Sequence, residues 1–290
     1  MKNKNKKDMH LDVNDLQKYF LLEYDHYSFY AIDIGAEKLS PNHPIVKRCE
    51  IIEKTCWASK ENFYNYLSKR DLLLLVSFNE EIIGFALASA WMDGVYGIFA
   101  GDEVMIIPEY RGKKLTIKLT WLGLYLLTRF YSLTKEIKQL VGFGLSCNPR
   151  TMMMIYKRRK LLLESNFSPR STLTAIAKDY INHLGYKTLT DDDPFFVKGI
   201  YPGSHKMLQP INNEYIVTKE CPPEFDYKKR GDCMLLAGRH KINVARLIMK
   251  LSIPFIFKRI NLDFNNPGWQ IWQPENRPLI NPAIYASNDK

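Results

Sequence analysis

The sequence has few of the features that mark membrane-spanning, disulfide-bonded or metal-binding chains. No window approaches the roughly 18 consecutive apolar residues of a membrane span, and the nearest run, 247–257, is interrupted by Lys250 and Pro254. The 5 cysteines are odd in number and show no CxxC spacing, which fits buried thiols in a reducing cytoplasm better than disulfides or zinc ligation. Because the 6 histidines are scattered without an HExxH pattern, we expect no metal site.

The composition describes a folded chain with an excess of positive charge. The 290 residues are 46% hydrophobic and 25% charged, which is typical of one large or two modest globular domains. The net charge of +10 suits a nucleic acid, an anionic membrane surface or a polyphosphate-bearing ligand. We interpret residues 1–15, which are rich in lysine, as a basic flexible tail.

Hydrophobic patterns predict alternating strands and helices from residue 16 onward. The predicted strands are a first one in the second half of 16–33, then 72–78 and 82–90, which form a hairpin, and then 102–107 and 139–147. A predicted helix over 115–133 is apolar on nearly every face, so we expect it to be buried between other elements. Asn148 and Pro149 open a further helix, and a helix is predicted over 242–251. The last thirty residues contain two tryptophans, which we expect to lie on the body of the protein.

A cationic turn precedes the apolar helix, with the sequence Arg111-Gly112-Lys113-Lys114. A helix N-terminus concentrates unpaired N–H groups and partial positive charge, so it attracts anions. Gly112 permits a tight turn and close approach of the backbone to a ligand. Arg111 can bind phosphate oxygens in a forked geometry, and the two lysines add charge. A pyrophosphate is the ligand that we expect here.

The turn and its surroundings resemble the GNAT N-acetyltransferase superfamily, and the resemblance covers residues 27–159. The shared pattern is a strand, Pro-x-Tyr-Arg-Gly-Lys, an apolar helix, a strand and Asn-Pro at the start of the next helix. Neither GxxxxGK[ST] nor GxGxxG is present. In the family, the turn Arg/Gln-x-x-Gly-x-Gly/Ala binds the pyrophosphate of acetyl-CoA. This sequence places Lys114 and Thr116 at the two later small-residue positions.

Lys114 is the main departure from the family pattern, and two interpretations remain open. Its side chain can point outward and add charge near the phosphates, or it can obstruct the loop and weaken binding. Thr116 is small enough to be tolerated.

The resemblance implies an α/β (α+β) fold with a mixed, mostly antiparallel central sheet flanked by helices. We assign residues 16–165 to an acyl-CoA-binding core. Residues 166–290 are expected to complete the fold and to add a C-terminal extension. In the family, the fourth and fifth strands splay apart, here 102–107 and 139–147, and the pantetheine arm lies between them.

The resemblance also implies roles for individual residues. The cofactor-binding residues are expected to be Ile106, Ile107, Arg111, Gly112, Lys113, Lys114, Leu115, Thr116 and Asn148. The backbone N–H of Ile106 or Ile107 would polarise the acetyl carbonyl. Glu103, a few residues before the strand bulge, is the predicted general base, with Asp102 as its competitor. Tyr156 is the candidate acid for the departing thiolate, although it lies one residue later than the family pattern, and packing is the alternative.

These features predict a cytoplasmic transferase that moves an acetyl group from acetyl-CoA directly to an amine, without a metal. The acceptor could be a small molecule or a protein, and the chain could form a homodimer. The alternative is a non-catalytic acyl-CoA-binding or protein-interaction module on the same fold. Nucleic-acid binding is the least favoured hypothesis, because the cations coincide with the expected cofactor site and no nucleic-acid-binding motif is present.

Overall fold

The computed structural model describes residues 16–56, 62–147, 172–191, 193–200, 221–258 and 262–272. The strands are β1 (Phe20–Tyr24), β2 (Tyr27–Asp33), β3 (Leu72–Phe78), β4 (Glu81–Asp93), β5 (Tyr96–Ile106), β6 (Gln139–Ser146), β7 (Lys187–Thr190), β8 (Asp193–Lys198) and β9 (Cys233–Lys241). The helices are α1 (Ile34–Glu37), α2 (Pro44–Cys56), α3 (Phe63–Leu67), α4 (Leu115–Leu133), α5 (Thr172–His183), α6 (Ile242–Ile256) and α7 (Pro267–Gln270).

The strands of the described residues form one nine-stranded sheet in the order β1-β2-β3-β4-β5-β6-β9-β8-β7. Neighbouring strands run antiparallel except for the central pair, β5 and β6, which runs parallel. A parallel pair needs a long crossover, and here α4 provides it between β5 and β6. The prediction of a mixed, mostly antiparallel sheet flanked by helices is therefore confirmed.

β3 is buried on both faces, which explains its almost continuous apolar sequence. Leu73 and Leu75 pack toward α2 and α3, whereas Leu72 and Leu74 pack toward α4. The turn into β4 contains two residues with positive φ, Asn79 at 47° and Glu80 at 66°. This conformation suits the twist of a tight hairpin, and the predicted hairpin is confirmed.

Helix α4 lies between the sheet and α6, as its apolar sequence predicts. Tyr131 anchors it by donating a hydrogen bond from its hydroxyl to the Trp91 carbonyl at 2.9 Å. The ring fits only because residue 97 is glycine, since a Cβ at Gly97 would lie 2.5 Å from Cγ of Tyr131. This glycine sits inside β5, which begins at Tyr96 and not at Asp102 as predicted.

The C-terminal third extends the same sheet. β9 pairs with β6 and β8, and α5 packs on their surface. Trp269 and Trp272 are both buried: the Trp269 indole Nε1 donates to the Leu21 carbonyl of β1 at 3.0 Å, and the Trp272 ring packs against Phe130 of α4. The prediction that these tryptophans lie on the body is confirmed. None of the helices in the described ranges has the length and apolar character that a membrane crossing requires.

Candidate acyl-CoA site

The central parallel pair of strands separates part-way along its length. β5 and β6 are paired from Tyr96 with Gln139 to Gly101 with Gly144. Beyond that point β5 continues to Ile106 beside β4, whereas β6 continues beside β9. The two strands therefore diverge toward their C-terminal ends. This divergence agrees with the splayed strands that the GNAT resemblance implies.

A β-bulge lies where the strands begin to diverge. Gly101 pairs with Ala88 and Glu103 pairs with Leu87, so Asp102 is the extra residue. Glu103 was expected a few residues before a bulge, and that expectation is wrong, because Glu103 directly follows it. A bulge breaks the simple alternation of side chains between the two faces of a strand. Here it brings two consecutive carboxylates to the start of the gap.

Asp102 forms a buried cluster with residues from two distant parts of the chain. Its Oδ2 lies 2.5 Å from Nε of Arg70, and the side chains of Arg70 and Asp102 are 1% and 0% exposed. The Tyr180 hydroxyl donates a hydrogen bond to Asp102 Oδ1. The Tyr180 ring is stacked between Trp91 and Phe143, at centroid distances of 5.5 and 5.8 Å. Every partner of this carboxylate is therefore held in place by packing.

Burial dominates the electrostatics of Asp102. Desolvation raises the pKa of Asp102 from 3.8 to about 6, against the opposing effect of the Arg70 charge. At neutral pH Asp102 is therefore ionised and its charge is neutralised by Arg70. A carboxylate held in a buried ion pair is less available to accept a proton, so Asp102 is poorly suited to act as a general base.

Glu103 is buried beneath α2 and α3. It is 5% exposed, and its charge acts on two thiols of α2. Burial raises the pKa of both Cys49 and Cys56, and the nearby Glu103 charge adds to the increase. Glu103 thus lies on the side of the sheet that carries α2 and α3, next to the gap between β5 and β6.

The ladder between β4 and β5 distinguishes the two candidate backbone donors. The Ile107 N–H donates to the Ile83 carbonyl at 3.0 Å. Hydrogen-bonded and non-hydrogen-bonded residues alternate along an antiparallel pair, so the Ile106 N–H points away from β4 and toward the gap. Of the two predicted donors, Ile106 has the orientation that a ligand between the strands requires.

The end of β5 is fixed by side chains on its last carbonyl. The Ile106 carbonyl accepts hydrogen bonds from Arg111 Nε at 3.1 Å and from Cys56 Sγ at 3.2 Å. Arg111 therefore folds back over the strand end, and one of its five N–H donors is used there. The position of its guanidinium is set by this contact before any ligand binds.

The predicted turn is present and is open to solvent. A short 3-10 turn, Pro108–Tyr110, is followed by four exposed residues, Arg111, Gly112, Lys113 and Lys114. Gly112 has φ of 82°, and no atom lies within 4 Å of where its Cβ would be. The glycine therefore serves the backbone conformation and leaves space beside the turn.

Lys114 adopts the conformation that glycine adopts freely. Its φ and ψ are 59° and 23°, in the left-handed region, and its carbonyl accepts the first hydrogen bond of α4 from Lys118 at 3.1 Å. A non-glycine residue is disfavoured there by about 1–2 kcal/mol. The loop keeps the glycine-like backbone although the residue is lysine, and its side chain is exposed.

The first turn of α4 contributes in different ways. The Leu115 side chain is buried in the core, so only its backbone N–H is available to a ligand, whereas Thr116 is exposed. Lys118, which the sequence analysis missed, is only 8% exposed, and its Nζ lies 5.0 Å from the centroid of the Tyr24 ring. Burial lowers the pKa of Lys118, and the nearby Lys114 charge lowers it further. Lys118 belongs to no sequence motif, so no pattern in the sequence indicated that this lysine is buried near the turn.

Two predicted site residues, Asn148 and Tyr156, lie outside the described residues. The structure instead brings Tyr180 to the gap, which sequence reasoning missed. Tyr180 lies on α5, and no local signal in the sequence indicates that this helix meets Asp102. No cluster of three or more potential metal ligands occurs among the residues that the structure describes.

Comparisons with known proteins match the fold only remotely. No family model matches the sequence, and no curated protein matches it. Among solved structures, a GNAT family acetyltransferase from Elizabethkingia anophelis with acetyl-CoA bound is 16% identical, with 74% of this chain and 99% of that chain covered and a TM-score of 0.37. The ribosomal-protein-S18-alanine N-acetyltransferase from Escherichia coli is 14% identical, with 73% and 93% covered and a TM-score of 0.34.

A third structure, a GNAT family acetyltransferase from Streptococcus pneumoniae, is 11% identical, with 49% of this chain and 92% of that chain covered and a TM-score of 0.33. The mostly antiparallel sheet, the diverging parallel pair and the glycine turn that opens the crossover helix agree with the fold that the GNAT resemblance of the sequence implies.

Proposed function

We propose that the protein is an acetyl-CoA-dependent N-acetyltransferase. The observation that supports it best is the divergence of β5 and β6 next to an exposed cationic helix N-terminus. The gap can take an extended chain that pairs with backbone groups of β5, and the turn can take a pyrophosphate. Acetyl-CoA contains both parts and supplies an acetyl thioester, from which an amine can displace the thiol.

The turn at 111–116 is the proposed pyrophosphate site. The exposed cations Arg111, Lys113 and Lys114 directly precede the first N–H groups of α4. The first N–H groups of any α-helix have no partner within the helix, because no helical carbonyl precedes them by four residues. Gly112 leaves room beside them. The residues therefore fit the charge and the size of a pyrophosphate.

Within the gap, the Ile106 N–H is the proposed donor to the acetyl carbonyl oxygen. Its direction away from β4 is fixed by the Ile107–Ile83 hydrogen bond. A donor on a strand inside a sheet does not need to reorganise when negative charge develops on that oxygen. The Arg111 and Cys56 contacts to the neighbouring carbonyl hold this strand end in place.

Glu103 is the proposed general base. It removes a proton from the acceptor ammonium, and the free amine nitrogen then bonds to the acetyl carbon. The carbon–sulfur bond breaks, and coenzyme A leaves as a thiolate that takes up the second proton lost from the nitrogen. Asp102 is the poorer candidate because its two oxygens already engage Arg70 and Tyr180. The same contacts make Tyr180 and Arg70 positioning residues for the bulge that presents Glu103.

The direct test combines thiol release with two neighbouring substitutions. Purified protein is assayed for acetyl-CoA-dependent release of free thiol across a panel of small amines and peptide N-termini. Glu103→Gln keeps the side-chain shape and removes the base, so turnover should fall about 10²–10⁴-fold. Acetyl-CoA affinity, measured by calorimetry, should change less than twofold.

Asp102→Asn is the matched comparison, because it alters the adjacent carboxylate. Full turnover in Glu103→Gln with loss in Asp102→Asn would transfer the role of base to Asp102. If the wild-type protein binds acetyl-CoA but releases no thiol above background with any acceptor, the non-catalytic binding module becomes the better hypothesis. The buried position of Glu103 beneath α2 is the observation that favours that second candidate.

A further inference from the structure

Helix α6 exposes an apolar stripe on the side opposite its buried face. The buried residues are Ile242, Ala245, Met249 and Ile253. The exposed apolar residues are Val244, Leu247, Leu251 and Phe255, with exposures of 44%, 56%, 68% and 87%. Their spacing of three or four residues places them on one side of the helix. The exposure increases steadily toward the C-terminal end.

This stripe is unusual within the molecule. The structure describes eight large apolar side chains that are exposed, and four of them are on α6. The other four lie on separate elements, namely Ile51, Val95, Ile117 and Leu133. Single exposed apolar residues are ordinary, whereas a contiguous row on one helix indicates a binding surface.

The segment that contains the stripe is also strongly cationic. Between Asp232 and Asp263 the sequence has six lysines and arginines and no acidic residue. Arg246 and Lys250 are exposed along one flank of α6, and Lys258 is exposed just after its end. Burial and the Lys114 charge are the main causes of the lowered pKa of Lys118. The Asp25 charge opposes them, and the Lys258 charge adds a smaller decrease. The end of α6 therefore lies close enough to the first turn of α4 for the charges of Lys258 and Lys118 to interact.

An exposed apolar stripe next to cationic residues favours one kind of binding partner. A second copy of this chain, docked through the same face, would bring together two segments that each carry six lysines and arginines and no acidic residue, and these repel. A nucleic acid would satisfy the cations but not the apolar row. An anionic lipid surface satisfies both, since acyl chains accept the stripe and headgroups accept the cations.

We propose that α6 binds the surface of an anionic membrane. The helix lies in the plane of the headgroups, with Leu251 and Phe255 inserted most deeply because they are the most exposed. The stripe from Val244 to Phe255 is roughly 16 Å long, which suits a helix that lies on a bilayer and does not cross it. Arg246 and Lys250 face lipid phosphates along the flank.

Vesicle sedimentation tests the proposal directly. The full chain is mixed with vesicles of phosphatidylcholine alone or of phosphatidylcholine with phosphatidylglycerol. We expect binding to the anionic vesicles, weaker binding as salt rises, and little binding to the neutral ones. Leu251→Glu/Phe255→Glu should reduce partitioning by roughly tenfold or more, because two large apolar side chains are no longer buried.

Two further variants separate charge from apolar contact. Arg246→Gln/Lys250→Gln should weaken binding by roughly fivefold per charge and reduce its dependence on phosphatidylglycerol. Ile51→Glu is the matched control, because Ile51 is 39% exposed on α2, on the opposite face of the sheet. It should bind anionic vesicles as the wild type does.

Several results would overturn the proposal. One is that the wild-type protein fails to sediment with anionic vesicles. Another is that Ile51→Glu loses binding as fully as Leu251→Glu/Phe255→Glu. A third is that light scattering finds a dimer which Leu251→Glu/Phe255→Glu converts to a monomer, because the stripe would then be a subunit interface. Vesicle binding requires neither acetyl-CoA nor turnover, so it is independent of the proposed enzyme activity.

Discussion

The charged residues at the two ends of the short strand segment 102–106 differ in their exposure to solvent. At its start, Asp102 is paired with Arg70 in the interior, with side chains 0% and 1% exposed. Past its end, Arg111, Lys113 and Lys114 are all exposed. The buried charges are enclosed with fixed partners in the interior, whereas the exposed cations can be reached from solution. Charge is thus enclosed in the interior at one end and open to solvent at the other.

The largest expected effect is the loss of the buried pair. Arg70→Met keeps the aliphatic bulk of the side chain but leaves Asp102 buried without its cation. The free energy of unfolding should fall by about 3–5 kcal/mol, as measured by urea denaturation at pH 7.

An exposed ion pair provides the matched control. Arg48 Nη2 lies 2.5 Å from Glu81 Oε1, whose side chain is 60% exposed, so Glu81→Gln should cost no more than about 1 kcal/mol. The double variant Arg70→Met/Asp102→Asn should recover part of the stability lost in Arg70→Met. Equal losses for Arg70→Met and Glu81→Gln would show that burial does not distinguish the two pairs.

The pH dependence of stability gives the next largest effect. Burial raises the pKa of Asp102 from 3.8 to about 6, so between these values the folded protein holds a proton that the unfolded chain has lost. The contribution of Asp102 to stability is therefore complete below pH about 4 and falls as pH rises to about 6. The slope is about 1.4 kcal/mol per pH unit, or about 3 kcal/mol in total.

The measurement compares wild type with Asp102→Asn in urea titrations across this range. The difference in unfolding free energy between the two proteins should change with that slope and then level off above pH 6. A constant difference would mean that Asp102 keeps its ordinary pKa in the folded state, with Arg70 fully offsetting the effect of burial.

A smaller effect is expected from the exposed turn. Arg111→Ala should weaken acetyl-CoA binding by roughly tenfold, which is the scale of one charge-assisted hydrogen bond. The affinity of the wild type should decrease with added salt, since part of it is charge attraction between exposed groups. Calorimetry at two salt concentrations provides both values, and an unchanged affinity in Arg111→Ala would contradict this placement of the pyrophosphate.

The smallest effect concerns Lys114. The backbone there is already left-handed, so Lys114→Gly should keep the loop conformation and remove only one charge. Acetyl-CoA affinity should stay the same or fall within about threefold. A clear gain in affinity would indicate that the lysine side chain obstructs the site, in agreement with the second interpretation of this departure.

Local signals in the sequence were enough for several elements. The helix Leu115–Leu133 was predicted with both ends correct, because its apolar run begins after a glycine turn and its length is typical of a helix. The strand Leu72–Phe78 was also correct, because a short, continuous apolar run between turns indicates a strand buried on both faces. In each case the deciding residues are neighbours in the chain.

Predictions failed where distant packing outweighs local preference. β5 begins at Tyr96, earlier than predicted, because Gly97 makes room for the Tyr131 ring from α4. Helix α6 continues past the predicted end at Leu251 and through Pro254, because Ile253 is buried beyond that end. A proline this close to the helix end removes one hydrogen bond, which the packing offsets.

The sequence by itself determined the turn at Gly112 and the crossover helix, because periodicity and glycine act over a few adjacent residues, whereas the mixed sheet was expected from the family resemblance. Only the tertiary structure decided that the bulge falls at Asp102 and that Arg70 and Tyr180 contact this residue. It also decided that the backbone N–H of Ile106, and not that of Ile107, points into the gap. Those outcomes depend on strand register and on contacts between residues up to 78 positions apart. No local pattern encodes a register, because it is fixed only when the faces of all the neighbouring strands and helices are buried together.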